Sequence, residues 1–321
     1  MIRAILRKQE GPVQTEVPAS GFKEALADPA NLLWVDIENP EDAEIELLLE
    51  VFELHPLTIE DCILPNTRPK LENFDRYLFV VLQGLSRENG NSLRTVELNL
   101  CVGPNFLVTV RSEQMKCIDA DWTRVAKKSP ICTRGADFLL YAITDSLIDS
   151  YFPFLDEVEA KVDALEAKLL SNSTQEMLKE LFRVYDELVV LRRALAPHRE
   201  ILTRISRRDD LPLIKTANAA YFRDIYDHLL RMSDLVDTCR ETTTMLLEAY
   251  STIVSNRLNE IMKTMTALAT LSIPFVIITG IYGMNFGEHP WIPVWAFHAV
   301  SVMLLVSMPF MFWYFRKFRW L

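Results

Sequence analysis

Two long runs of residues near the C-terminal end contain no Asp, Glu, Lys or Arg. They are residues 264–287 and 289–315. A helix that crosses a bilayer needs about 20 predominantly apolar residues, so the runs predict two spans, at about 265–284 and 291–315. The six residues between these spans are too few to recross a membrane. The sequence therefore predicts a hairpin in a lipid bilayer, with both of its ends on one side.

Positive charge flanks this hairpin at its two ends. Arg316, Lys317 and Arg319 follow the second span, Arg257 and Lys263 precede the first, and the connecting loop has neither Lys nor Arg. Lys and Arg are enriched on the cytoplasmic side of membrane spans. We therefore expect a protein of the inner (plasma) membrane, with its N- and C-termini in the cytoplasm and the short loop outside.

The stretch before the first span predicts one very long helix. From about residue 218 it meets no proline before Pro274 and no glycine before Gly280. Apolar side chains recur along it every three or four residues, as in a packed helix. These positions, called the seam below, are Ile225, Leu229, Met232, Val236, Cys239, Thr243, Leu246, Tyr250 and Ile253.

A second stripe follows the same helix at the same spacing. It is acidic near Asp224 and Asp227, small or hydroxylated in the middle, and uncharged within the span. Two interpretations are open. The stripe is either the solvated face of a coiled coil, or the lining of an axis that several copies of the helix surround. A single hairpin cannot enclose a pore, so the second interpretation requires an oligomer.

The residues before the long helix predict two kinds of structure. Short apolar or alternating runs at 32–38, 77–83, 96–102 and 106–111 predict strands. From residue 136 onward nearly everything predicts helix, with a bend at Pro153 and a capping-box start at Ser173. We expect an α+β cytoplasmic domain followed by long helices and two transmembrane helices, with boundaries at 1–135, 136–263 and 264–321.

Composition excludes several classes of function. The formal charge is −10, from 44 acidic and 34 basic residues, which argues against nucleic acid because its binding needs a basic face. With nine glycines in the chain, a nucleotide-cradling loop is not expected. The five cysteines never occur as C-x-x-C, which argues against a cysteine zinc site. No Ser/His/Asp, Cys/His or HExxH arrangement offers catalysis, so we do not expect an enzyme.

A specific motif lies directly after the first span. The segment GIYGMNF (280–286) resembles the Gly-Met-Asn signature of the CorA family of divalent-cation channels. Other segments look like those of the family, in the family's order, so the resemblance covers about residue 30 to the end. They are HPLTIED (55–61), RPKLENFDRYLFVVL (68–82), ADFLLYAITDSLIDSYF (136–152), YFRDIYDH (221–228) and RKFRWL (316–321).

The resemblance implies a funnel-shaped homopentamer that conducts Mg²⁺, with cobalt and nickel as further candidate ions. It implies that Gly283, Met284 and Asn285 line the outer mouth, with Gly280 and Asn259 deeper in the pathway. Because Mg²⁺ releases its waters reluctantly, a ring of amide oxygens can bind the hydrated ion without stripping it. Asn285 also suits a helix C-cap, and Gly280 also suits close packing.

The resemblance also implies a gate and a capture site. The narrow apolar stretch of the family matches Met262, Met265 and Ile273, and apolar constrictions can close a pore by dewetting. Glu288 would attract cations to the outer mouth. Val276 stands where the family often has Thr, so a hydroxyl-lined site there is not expected.

Regulation by intracellular Mg²⁺ is implied as well. The resemblance matches Glu88 and Asp224 to a site between neighbouring subunits, with Asp227 one turn away. Mg²⁺ would then be both substrate and regulatory ligand. Two alternatives remain open: a zinc or other transition-metal transporter of the same family, which the altered outer loop leaves open, and a membrane-anchored sensor that conducts nothing. His289 in this loop could bind a transition metal, but it also suits an ordinary interfacial loop.

Overall fold

The computed structural model describes residues 1–8, 13–64, 68–88, 92–127, 133–171, 174–207, 211–282 and 294–317. These residues divide into two compact units, Met1–Met245 and Leu246–Leu321. The strands are β1 (Ile2–Arg7), β2 (Leu32–Glu38), β3 (Lys70–Phe74), β4 (Tyr77–Glu88), β5 (Ser92–Val102) and β6 (Phe106–Arg111). The helices are α1 (Phe22–Ala27), α2 (Asp42–Glu50), α3 (Pro56–Ile63), α4 (Lys116–Ala126), α5 (Ala136–Asp149), α6 (Phe152–Ser171), α7 (Gln175–Arg207), α8 (Thr216–Tyr282) and α9 (Val294–Lys317).

The strands of the first unit form one sheet in the order β1-β2-β6-β5-β4-β3. The β2–β6 pair is parallel and the other pairs are antiparallel. Helices α1 to α3 cover one face, where Phe22, Leu48 and Ile59 join the buried core. On the other face, Trp34 contacts Trp122 of α4 with ring centroids 5.0 Å apart, and α5 packs against β4, β5 and β6. The sheet is therefore buried on both faces, which explains its nearly continuous apolar strands.

The predicted strands are confirmed, and two more were missed. The run at 32–38 matches β2, the run at 106–111 matches β6, and the runs at 77–83 and 96–102 lie within β4 and β5. The missed strands, β1 and β3, are the two edges of the sheet. Both are short, with six residues in β1 and five in β3, so each carries little periodic signal.

Two helix predictions need correction. The helix expected from 136 with a bend at Pro153 is two helices, because the chain breaks at Ser150 and Tyr151. Pro153 is the second residue of α6, a position that needs no intrahelical N–H donor. The cap of α7 is Thr174, whose hydroxyl accepts a hydrogen bond from the backbone N–H of Met177. Ser173 lies outside the described residues.

The long helix is confirmed, as α8. Its seam is buried from Ile225 to Leu246, including Thr243, whose hydroxyl is satisfied by the carbonyl of Cys239 at 2.7 Å. Beyond Leu246 burial stops: Tyr250 is half-buried and Ile253 is exposed. The seam from Ile225 to Thr243 therefore packs within the first unit. The predicted second stripe is exposed beside the seam. Its residues in the first unit are Asp224, Asp227, Arg231, Asp234, Thr238, Glu241 and Met245.

Helix α8 is anchored at its start by a buried carboxylate of α5. Asp137 is 2 % exposed, and its Oδ2 accepts hydrogen bonds from the Lys215 backbone N–H at 3.0 Å and from Asn218 Nδ2 at 2.7 Å. One turn later, the ring of Tyr141 lies 5.1 Å from that of Tyr221. Partners on α5 and α8 therefore advance together along the chain, and this register decides which later residues meet.

Helix α7 closes the open edge of β4 through a histidine. Beyond Leu82, β4 has no β3 partner, and the backbone groups of Gln83 are bound by side chains instead. The N–H of Gln83 donates to His198 Nε2 at 3.1 Å, and Tyr151 Oη donates to the Gln83 carbonyl at 2.6 Å. Burial lowers the pKa of His198 to about 4, outweighing its hydrogen bond to the Ala194 carbonyl. The imidazole is therefore neutral at neutral pH.

This histidine predicts acid sensitivity. The unfolded chain binds a proton at His198 below about pH 6.5, whereas the folded chain does so only near pH 4, so stability falls as the pH drops through this window. Changing His198 to Gln keeps an acceptor for Gln83 and removes the proton site. We expect the melting temperature of wild type to fall more steeply between pH 7.5 and 5 than that of His198→Gln. Equal falls in the two proteins would contradict this role.

The second unit contains the apolar parts of two helices. Helices over Thr216–Ile277 and His298–Lys317 are long and apolar enough to cross a membrane. The first matches the predicted span at 265–284 in its apolar portion, and α9 matches the span predicted at 291–315. Pro274 and Pro309 lie inside these helices, as membrane helices tolerate more readily than soluble ones.

Candidate ion pathway and cation site

Most predicted pathway residues that the structure describes lie on one face of α8. Successive residues of an α-helix are rotated by about 100° around its axis. The residues of the stripe therefore fall within a sector about 100° wide, and all of them are exposed. Met262 is 65 % exposed and Ile273 is 52 % exposed. Met265, at 63 %, lies about 70° from the centre of the sector, so it borders the stripe. The stripe runs through Asn259, Met262, Thr266, Ala269, Ile273, Val276 and Gly280.

A different face of α8 is covered by the chain itself. Ala267 and Pro274 are buried, and Thr270 and Leu271 are half-buried. These four positions centre about 120° away from the stripe. On α9, Ser301 and Phe315 are buried. They are about four helical turns apart and therefore lie on one face of α9. The described residues therefore leave the stripe uncovered, although the stripe contains large apolar side chains.

The surroundings of Gly280 also indicate that the described residues leave the stripe uncovered. A Cβ atom built at Gly280 meets no atom within 4 Å in the described part of the chain. Packing against the described residues therefore does not require glycine at this position. The interpretation of Gly280 as a packing residue needs a neighbour outside the described residues or in another copy.

The residues predicted to form the outer mouth lie outside the described residues. Gly283, Met284, Asn285 and Glu288 fall in the range 283–293, outside the described residues. Their roles remain predictions from the sequence. Glu88 is the last residue of β4 and its backbone pairs with Ser92, but its side chain is likewise not described.

A cluster of acidic side chains lies where α5 and α8 pack. The register set by Asp137 and Tyr141 brings Asp145 and Asp149 of α5 next to Asp224 and His228 of α8. His228 Nδ1 is 3.9 Å from Asp149 Oδ1, and His228 Nε2 is 3.9 Å from Asp224 Oδ2. Both distances exceed hydrogen-bond length, so the groups are neighbours without direct bonds.

The electrostatics of this cluster favour added positive charge. Burial raises the pKa of Asp145, and repulsion from Asp149 and Asp224 raises it further, against the opposing effect of His228. Burial and the nearby Asp145 and Asp224 raise the pKa of Tyr141 to about 12. Like charges near one another disfavour ionisation. A cation placed among these carboxylates would relieve that repulsion.

Only part of this cluster is predicted from the sequence. Asp224 and Asp227 were predicted as regulatory ligands, but among the described residues Asp227 does not form a close pair with the other members of the cluster. Asp145, Asp149 and His228 were not predicted. The signal was present, because each helix carries its two members four residues apart and so on one face. No group of three or more His, Cys, Asp or Glu suited to a metal ion occurs in the described part of the chain.

Comparison with known proteins identifies relatives along nearly the whole chain. Residues 29–317 match the family described as CorA-like Mg2+ transporter protein. The chain is 33 % identical over 300 residues to the cobalt/magnesium transport protein CorA of Thermotoga maritima, covering 92 % of this chain and 85 % of that one. It is 24 % identical over 256 residues to the zinc transport protein ZntB of Pectobacterium carotovorum, covering 79 % and 77 %. The solved CorA magnesium transporter of Methanocaldococcus jannaschii superimposes with a TM-score of 0.81 at 25 % identity, covering 99 % and 98 %.

Proposed function

The chain belongs to the family of CorA-like Mg2+ transporter proteins, and from this premise we propose that it is a magnesium channel driven by the membrane potential. Members of the family are divalent-cation transporters and not enzymes. A potential contributes about 2.3 kcal/mol per charge per 100 mV, so a divalent ion gains twice that amount without a nucleotide. The observation that carries the proposal is the uncovered stripe of α8. We extend the proposal to cobalt and nickel as further ions.

The stripe supports an oligomer around a central axis. Large side chains such as Met262, Ile273 and Val276 face away from the covered side of α8, and one hairpin cannot enclose a pathway. We propose a homopentamer in which copies of α8 present this stripe to the axis and α9 lies outside. The first unit would then be a cytoplasmic funnel, with both termini in the cytoplasm and the hairpin in the inner membrane.

The stripe divides the proposed pathway into zones. Asn259 supplies an amide at the cytoplasmic end, and Met262, Met265 and Ile273 form the apolar gate. Gly280, Gly283, Met284 and Asn285 form the outer selectivity region, and Glu288 concentrates cations at the mouth. A hydrated Mg²⁺ can hydrogen-bond to amide oxygens through its own waters, which is the chemistry proposed for Asn285.

Flux measurements test this function. Purified protein in liposomes with a magnesium-sensitive dye inside should admit Mg²⁺ when a potential, negative inside, is applied. External cobalt and nickel should compete with this flux. Absence of magnesium flux above that of protein-free liposomes would contradict the magnesium channel and leave the zinc transporter and the non-conducting anchor.

The zinc-named relative supports a second candidate function. Its family shares the architecture, and imidazole ligands such as His289 suit zinc. The same assay distinguishes the two. Magnesium flux unaffected by zinc favours the magnesium channel, whereas zinc flux that excess Mg²⁺ does not reduce favours the zinc transporter.

We propose that intracellular Mg²⁺ closes the channel through the acidic cluster. Asp224 is 66 % exposed on its side chain, so it can reach a ligand on a neighbouring copy, where the resemblance matches Glu88. Asp145 and Asp149 add negative charge on the same side, and Asp227 lies one turn along. A hard divalent cation prefers such carboxylate oxygens. Binding would fix the contact between copies and restrain α8.

Charge reversal tests this regulation. Mg²⁺ should protect the first unit of wild type from protease, because a ligand that binds one state raises its population. The double change Glu88→Lys with Asp224→Lys should give protection without metal, since the lysines neutralise the site. Asp234→Lys is the matched control, because Asp234 is also exposed on α8 outside the cluster. If the double variant is cut as fast as metal-free wild type while Asp234→Lys behaves normally, these residues are not the sensor.

A further inference from the structure

An open groove of about 810 Å³ lies between α7 and the β4–β5 hairpin. It is separate from the proposed ion pathway and from the acidic cluster of α5 and α8. The floor is formed by the hairpin at Gln83, Leu93 and Thr95, and one wall by α7. The groove exists because β3 ends at Lys70↔Val81, so the second half of β4 has no strand on the side away from β5, and α7 spans the gap.

The charged residues that line this groove in the described part of the chain are all arginines. They are Arg68 before β3, Arg94 on β5 and Arg193 on α7. Arg94 is held in a fixed orientation by Glu113, through two hydrogen bonds of 2.7 Å. Among the described residues, Arg68 and Arg193 form no ion pair. In a chain with a formal charge of −10, two of the three arginines of this groove are therefore not neutralised by a described carboxylate.

A neighbouring groove provides the contrast. The groove between α6 and α7, of about 420 Å³, also contains basic residues, but carboxylates line it as well. There Arg87 binds Glu157 at 2.7 Å and Glu187 at 3.0 Å, and Lys161 binds Glu187 at 2.9 Å. Its positive charge is largely neutralised inside the fold. The arginine groove differs because its lining offers positive charge without a carboxylate.

The lining suits a phosphorylated organic molecule. Guanidinium groups match phosphate oxygens with paired, charge-assisted hydrogen bonds. The rest of the lining is apolar or weakly polar, with Pro69, Leu93, Val190 and Pro197 beside the hydroxyl of Thr95. Such mixed lining and a volume of several hundred Å³ are typical of small-molecule sites. Inorganic phosphate would leave most of the groove empty.

We infer that this groove binds a phosphorylated organic anion of nucleotide size. Its phosphates contact Arg68 and Arg193, and its apolar body lies against Leu93 and Val190. Recognition is by side chains, so no Gly-rich phosphate loop is needed. A bound anion would cross-link the β4–β5 hairpin to α7 and stabilise the first unit.

Calorimetric titration of the full-length protein in detergent tests the inference. ADP, pyrophosphate and adenosine are the probes, in magnesium-free buffer with a chelator so that a ligand cannot act by removing the metal. ADP should bind saturably, pyrophosphate more weakly and adenosine not at all. The double variant Arg68→Ala with Arg193→Ala should raise the Kd for ADP at least about tenfold, as expected on losing charge-assisted hydrogen bonds.

A matched control separates the site from general surface charge. Arg199→Ala removes an equally exposed arginine of α7 that does not line this groove, and it should change the Kd by less than about twofold. Both arginines of the double variant are exposed, so the variant should melt as wild type does without ligand. The inference is overturned by non-saturating heats with ADP, by an equal loss in Arg199→Ala, or by pyrophosphate binding as tightly as ADP.

Discussion

Replacing Asn285 by alanine is expected to reduce magnesium flux to the level of protein-free liposomes while the protein still folds and assembles. The amide oxygen is proposed to accept hydrogen bonds from the water shell of the ion, and the methyl group of alanine accepts none. Mg²⁺ pays a large cost to lose its waters, so without these acceptors the ion has no favourable position at the mouth. Dye-loaded liposomes measure the flux, and size-exclusion chromatography confirms assembly.

The matched control for this variant is Asn256→Ala. Asn256 is an exposed asparagine of α8, and it lies about 110° from the centre of the stripe. Its loss should leave the flux unchanged. Normal flux with normal ion selectivity in Asn285→Ala would remove the amide ring from the mechanism, whereas equal loss in both variants would indicate a general effect on the helix.

Replacing Ile273 or Met262 by serine is expected to make the channel leak when intracellular Mg²⁺ is high. Both side chains are more than half exposed in a single copy and are proposed to meet around the axis. An apolar constriction excludes water and therefore ions. Serine hydroxyls would wet it, and lowering the barrier by about 1.4 kcal/mol raises the rate tenfold. Flux into liposomes preloaded with Mg²⁺ should rise by at least about tenfold over wild type.

Leu268→Ser is the control for the gate. Leu268 is 53 % exposed and Ile273 is 52 % exposed, but Leu268 lies about 130° from the centre of the stripe. The substitution makes the same chemical change on a face turned away from the proposed axis. It should not open the channel. If flux falls or stays constant in both Ile273→Ser and Met262→Ser, the stripe is a packing surface and the proposed pathway is wrong.

Prediction from the sequence succeeded where one periodic signal extends over many residues. The helix predicted from 218 to 282 is α8 within two residues, because its pattern repeats without a proline or glycine over many turns. Strands β2 and β6 were equally clear because both faces of the sheet are covered. The edge strands β1 and β3 and the break at Ser150 were missed, since each involves only a few residues and carries no extended periodic pattern.

The candidate site also contains residues that were predicted from the sequence and residues that were not. Asp224 was named from a local motif, and it does lie in an acidic cluster. Asp145, Asp149 and His228 were not connected with it, because 75 residues separate Asp149 from Asp224. Their proximity depends on the cap that Asp137 provides to α8 and on the ring contact of Tyr141 with Tyr221. The arginine groove could not be predicted from the sequence either, because Arg68, Arg94 and Arg193 share no sequence pattern.

The sequence by itself determined two long apolar segments near the C-terminal end, the length of α8, the two stripes along it and the family. These properties follow from hydrophobicity and helical periodicity, which act between residues close in the chain. Only the tertiary structure decided that the seam is buried from Ile225 to Leu246 while the stripe stays uncovered. It also decided which carboxylates repel one another beside Asp145 and which arginines share a groove. The physical reason is that burial and electrostatic repulsion depend on distances in space, and packing between distant segments sets those distances.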